Sequence, residues 1–173
     1  KSWDPESKTK IAHMQEGDFF ESEKSVVIQN NGIVRIEYVA DDESVSILKE
    51  KVAITQGEVI DTSVMNVRHL QEFYSAQIEN SYQEGNLLSL HLKATMMKVS
   101  DPVLFGHAVS VYFRDLFNKH QELFKKLGIN PNNGLGDVYA KIKTLSQEQQ
   151  DKIHQDIEDI YQKRPDLAMV DSD

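Results

Sequence analysis

Lys93 and His91 are the residues whose type and spacing best suit them for chemistry in this chain. They lie in Leu88–Pro102, LSLHLKATMMKVSDP. Strand periodicity there places Leu88, Leu90, Leu92 and Ala94 on one face and Ser89, His91, Lys93 and Thr95 on the other. An apolar back and a front of hydroxyls, an imidazole and an ammonium suit the wall of a polar cleft, although a solvent-facing sheet surface gives the same alternation. A lysine ammonium can bind a carboxylate, shuttle a proton, or stabilise an alkoxide or enolate as charge develops. His91 and Lys93 share the predicted face, so a positive charge on one disfavours protonation of the other.

The other candidates carry less. Lys98, near the start of the following helix, can join free backbone amides in an anion site or simply pair with Asp101. His107, one turn into that helix, faces the same choice between cleft and surface. Asp137 follows a glycine-containing loop and could meet a cation, but magnesium usually takes several oxygen ligands. Asp41, Asp42 and Glu43 read as a solvated turn. His13, His69, His120 and His154 lack metal-ligand spacing, and HExxH is absent. Gly134-Leu135-Gly136 has neither the preceding strand nor the third glycine of a dinucleotide fingerprint. Ser89 and His91 show no acid partner or oxyanion architecture that would make them a nucleophile and base.

The elements around these residues follow from periodicity and punctuation. Ser25–Ile28 is a short strand, Asn30-Asn31-Gly32 a tight turn, and Ile33–Val39 with Val45–Ile54 a hairpin closed by Asp41–Ser44. A brief extended piece surrounds Val59 and Ile60. A helix runs from Asn66 to Glu84 with Leu70, Tyr74 and Ile78 as its apolar stripe, Asn66 as cap and Gly85 as stop. Leu87–Met97 is the next strand. Asp101-Pro102 predicts a helix start with Asp101 as cap, and that helix extends to about Leu127, before Gly128. Asn130–Gly136 reads as a loop. Ser146 and Gln149 form a capping box for a last helix, with Ile153, Ile157 and Ile160 inward and Arg164-Pro165 at its close. Leu167–Val170 looks extended. Helices alternating with short strands predict an α/β or α+β layer structure, economically a single domain over 1–173.

Bulk composition narrows the function classes. The 173 residues suffice for one cored domain, and the lack of cysteine removes disulfide and thiolate chemistry. That lack fits a reducing, cytoplasmic compartment. A formal charge of −9 repels phosphate backbones, so no nucleic-acid partner is expected, and no run is long enough to suggest a membrane span. A start at Lys1 and a stop at Asp173 look like cuts from a longer polypeptide.

LSLHLKATMMKVSDPVLFGHAV, from Leu88, closely resembles the monomeric NADP-dependent isocitrate dehydrogenases of bacteria. HMQEGDFFESEKSV at 13–26, GEVIDTSVM at 57–65 and NPNNGLGDVYAKI at 130–142 extend the resemblance over nearly the whole chain. The resemblance implies an internal piece of a larger, monomeric enzyme that oxidises isocitrate, passes hydride to NADP and decarboxylates the product, with Mg2+ or Mn2+ chelating the substrate. It implies a mixed sheet with flanking helices in the large, substrate-side domain of an isocitrate/isopropylmalate dehydrogenase-like enzyme, as a single domain or subdomain. The family's critical lysine falls on Lys93, which is implied to be both catalytic and substrate-binding. The metal-binding aspartates, the partner tyrosine and most of the NADP surface have no counterpart in 1–173, so no cofactor or metal role passes to Asp137, Arg114 or Tyr139. The isolated chain is then expected to be inactive and open to self-association. A noncatalytic structural or interaction module keeping the same scaffold is the alternative.

Overall fold

The computed structural model describes residues 2, 4–93 and 96–170. The expected strand positions of Ala94 and Thr95 lie outside the described residues. The chain divides into two compact units, one of Gln15–Met65 and the other of Lys1–Met14 with Asn66–Asp173.

The Gln15–Met65 unit is built of small pieces. Helix α1 (Phe19–Ser22) is capped by Asp18, whose carboxylate accepts from the Glu21 N–H at 2.8 Å. Strand β1 (Lys24–Val27) pairs antiparallel with β4 (Val59–Thr62), with Lys24 opposite Thr62. Strands β2 (Gly32–Val39) and β3 (Val45–Ile54) form the expected hairpin, with register shifts between Val34 and Glu37. The Asn30–Gly32 turn therefore joins strands that belong to different pairs. Lys49, Glu50 and Lys51 sit within β3 at no burial cost, because all three are exposed. At the hairpin tip the Asp42 carboxylate accepts from the Ser44 N–H at 3.0 Å and its hydroxyl at 2.6 Å.

The second unit holds the core. Helix α2 (Val67–Glu84) has the predicted ends: Asn66 Oδ1 accepts from the Arg68 and His69 N–H groups, and Gly85 closes it at φ 67°, where a side chain would be strained. Strand β5 (Leu88–His91) follows, and β6 (Leu167–Val170) pairs parallel to it, with Leu88 opposite Leu167. Between them come α3 (Ser100–Tyr112), α4 (Arg114–Lys119), α5 (Gln121–Leu127), a 3-10 turn (Pro131–Asn133), α6 (Gly134–Ile142) and α7 (Gln147–Tyr161). Ile78, Val109, Tyr112, Phe113, Leu116, Val138, Ile142, Ile153 and Ile157 pack together as the core.

Three expectations are corrected. The single helix predicted to run to Leu127 breaks at Phe113 and His120, whose ψ angles of 29° and 20° leave the helical region. Both break residues are engaged by α7: Phe113 meets Tyr161 edge-on at 5.6 Å, and His120 Nε2 lies 2.7 Å from the Asp156 carboxylate. The Asn130–Gly136 loop is in fact a 3-10 turn running into α6, because Val138 and Ile142 are fully buried and their packing overrides the local turn residues. The single mixed sheet is replaced, among the described residues, by three two-stranded sheets, two antiparallel and one parallel. The fold is thus mixed α and β, with seven helices described.

Candidate functional site

The alternation along β5 holds as far as Lys93. Leu88, Leu90 and Leu92 are half-buried, while Ser89, His91 and Lys93 are exposed. The strand itself stops at His91, so Lys93 stands two residues beyond its end. An exposed lysine past a strand end would ordinarily wander, but this backbone is held from both sides. Its N–H donates to Asp101 Oδ2 at 2.6 Å, and its carbonyl accepts from the Met96 and Met97 N–H groups, each at 2.9 Å.

The Asp101 carboxylate does not cap α3. The helix begins one residue earlier, at Ser100, after Val99, which makes no side-chain cap bond. Asp101 instead lies in the first turn at 8% exposure, and its carboxylate turns back to Lys93 while accepting from the Ser100 hydroxyl at 3.2 Å. Its own N–H is spent on the Met97 carbonyl at 3.1 Å. Tyr74, half-buried on α2, stands close enough to feel this carboxylate. Burial, and secondarily the Asp101 charge, push its hydroxyl up to about 12. Sequence reasoning named neither Asp101 as the anchor of Lys93 nor Tyr74 as its neighbour, because both relations cross between elements.

A cleft of about 760 Å³ runs beside β5, lined by Lys8–Ala12 and by the α2 side chains Phe73, Tyr74 and Gln77. Lys8 Nζ donates to the Glu84 carbonyl at 3.2 Å and Lys10 pairs with the Glu84 carboxylate at 2.7 Å, tethering that covering segment. Ser89 and His91 line the cleft, yet most of its wall is apolar and Lys93 lies outside it. The structure therefore places His91 and Lys93 on one side of the chain without bringing both into one cavity.

None of the remaining candidates lines this cleft. Lys98 is exposed in the turn before α3, and Asp101 is occupied by other partners. His107 Nδ1 lies 3.1 Å from Gln71 Nε2 and ties α3 to α2. Asp137 accepts from the Asn130 N–H at 2.7 Å and from Lys141 Nζ at 2.8 Å. Burial opposes ionisation of that carboxyl, but those donors outweigh it and hold it below the usual range. His154 sits beside the Tyr139 ring at 5.6 Å. Among the described residues no group of three or more His, Cys, Asp or Glu is gathered to hold a metal ion, and no helix is long and apolar enough to cross a membrane.

Chemically, the site offers one exposed ammonium on a fixed backbone, next to a strand face with a hydroxyl and an imidazole. Such a group suits an anionic substrate whose charge grows during reaction. The family model described as monomeric isocitrate dehydrogenase matches residues 1–173. The chain is 49% identical to isocitrate dehydrogenase (NADP) of Azotobacter vinelandii and 51% identical to isocitrate dehydrogenase (NADP) 2 of Colwellia maris, each over 172 residues. It is 46% identical over 170 residues to isocitrate dehydrogenase (NADP) 2 of Mycobacterium tuberculosis. The matches cover 98–99% of this chain but only 23% of each relative, so the chain spans just under a quarter of their length.

Proposed function

The chain belongs to the monomeric isocitrate dehydrogenase family, and on that premise we propose that it is one segment of an NADP-dependent isocitrate dehydrogenase in which Lys93 acts on the substrate. The observation that carries this reading is the backbone clamp on Lys93, which fixes the main chain that bears an exposed ammonium, within a chain that matches the family from end to end.

Isocitrate brings three carboxylates and a secondary hydroxyl. NADP supplies the hydride acceptor. Near the hydroxyl, the Lys93 ammonium stabilises the charge left on oxygen as the hydroxyl proton passes to solvent and hydride passes from the same carbon to NADP. Once carbon dioxide departs, the same ammonium balances the enolate oxygen until carbon takes a proton from solvent and 2-oxoglutarate is formed. The divalent ion and the cofactor are assigned to the remaining three quarters of the polypeptide, and no metal step is derived for this chain. The 173 residues serve as a domain or subdomain of the large substrate-side domain, with the rest of the same polypeptide as their partner. Stabilisation of the transition state depends on groups from several segments held together, so the isolated chain does not turn over isocitrate.

The test is isocitrate-dependent NADP reduction by the full-length parent and its Lys93→Ala variant, with magnesium or manganese. The variant is expected to lose about 10²–10⁴-fold in kcat while its circular dichroism is unchanged. An inactive parent favours the scaffold reading; an active parent indifferent to the substitution removes Lys93 from the mechanism.

A further inference from the structure

We propose that Asp101 is a positioning residue for the reaction, its carboxylate fixing the backbone from which the Lys93 ammonium reaches the substrate. This rests on the assignment of Lys93 above and adds a residue that has no contact with substrate.

Three observations converge on it. The bond from the Lys93 N–H to Asp101 Oδ2 is 2.6 Å long and spans eight residues, so it joins the end of the β5 segment to the first turn of α3. A charge-assisted bond of this kind is about twice as strong as a neutral one. Asp101 is also one of the few buried polar residues described, at 8% exposure, whereas Lys93 itself is exposed. A carboxylate is costly to bury without partners, and here its partners are the Lys93 N–H and the Ser100 hydroxyl. Finally, the Lys93 carbonyl is held by Met96 and Met97, so the carboxylate closes the second side of a clamp on one residue, its N–H and its C=O both engaged. With the N–H released, the peptide preceding Lys93 can turn about the Lys93 Cα while the carbonyl stays held, and Nζ, at the far end of a four-carbon stem, moves most.

Displacement of a reacting group by about 1 Å costs on the order of 10²-fold in rate. The experiment is a double-mutant cycle in the full-length parent, read as isocitrate-dependent NADP reduction. Asp101→Ala is expected to lower kcat about 10²-fold and leave KM within about threefold, since the loss falls on the transition state. In a Lys93→Ala background, measured by single turnover at high enzyme concentration, the same change is expected to add less than about threefold. Asp101→Asn keeps the size and one oxygen able to accept the N–H, and is expected to stay within about tenfold of the parent. Should Asp101→Ala fail to fold, the Asn variant carries the cycle, with its smaller loss again absorbed by Lys93→Ala. Losses that multiply in the double variant, or an Asp101 variant with unchanged kcat, overturn the positioning role. An unchanged kcat in Lys93→Ala alone is a different failure, that of the assignment of Lys93.

Discussion

A tyrosine hydroxyl buried in this chain is harder to ionise than one in water, and Tyr112 shows why. At 1% exposure it donates to the Pro165 carbonyl at 2.7 Å, so the phenolate would lose both solvent and its acceptor. Burial pushes it up to about 12, with Tyr161 and Asp166 adding to the shift and Arg164 opposing it; Tyr74 also reaches about 12. A group whose pKa is raised by folding stabilises the fold fully below its unfolded value, about 10 for tyrosine, and that contribution is lost as pH rises through the folded value. Unfolding free energy is therefore expected to fall between pH 10 and 12, by at most about 1.4 kcal/mol per pH unit for each group. Urea denaturation across that range checks it. Tyr112→Phe should cost about 1 kcal/mol at neutral pH and flatten the alkaline slope; an unaltered slope would contradict this account of the shift. Single residues were legible in the sequence when their signal was local. The alternation that singled out Lys93 is a period of two, and it persists in the burial of Leu88, Leu90 and Leu92. Asp101 beside Pro102 suggested a cap by local rule, and no local rule points its carboxylate at a backbone N–H eight residues earlier.

Among the elements, those with strong end signals were readable and those shaped by neighbours were not. Asn66 and Gly85 bound α2, and Ser146 with Gln149 opens α7, because each satisfies orphan backbone groups with its own atoms. The residues at the breaks, Phe113 and His120, find their partners on α7, more than thirty residues away, and the apolar periodicity runs through them without a mark. Helix α3, which carries Asp101, is docked on the Pro131–Asn133 turn through Gly106. A Cβ there would stand 1.9 Å from Asn132 Oδ1 and 3.0 Å from its Cα. The side chain can swing aside, but the backbone cannot, so the usual gain of about 1 kcal/mol for Gly→Ala in a helix should reverse. Gly106→Ala is expected to destabilise by about 1–3 kcal/mol. Gly136→Ala in α6, where an added Cβ meets nothing within 4 Å, should stabilise by about 0.5–1 kcal/mol. Melting temperatures of the two variants test the pair, and shifts of the same sign would refute the steric account of Gly106.

At the scale of the whole molecule, the two units are unequal in what they bury. The unit containing α2–α7 has a core of fully buried aliphatic and aromatic side chains. In Gln15–Met65 no described residue is buried, and Ile33, Leu48 and Tyr38 are 68%, 68% and 57% exposed. Two-stranded pairs without a covered apolar face are at best marginally stable in water. Nothing in the local pattern of β2 and β3 revealed this, since alternating strands look alike whether or not another surface covers them. The relatives are about four times longer than this chain, so a parent of their length, as proposed above, has ample material to cover those side chains. Limited proteolysis of the 173-residue chain is therefore expected to cut first within 15–65, leaving a resistant product from 66 onward. The same bonds should be cut much more slowly in the full-length parent, because cleavage follows the population of open backbone. Equal rates in both would make the apolar face native surface, and earlier cleavage in 66–170 would show that the buried core is not the stable part of the chain.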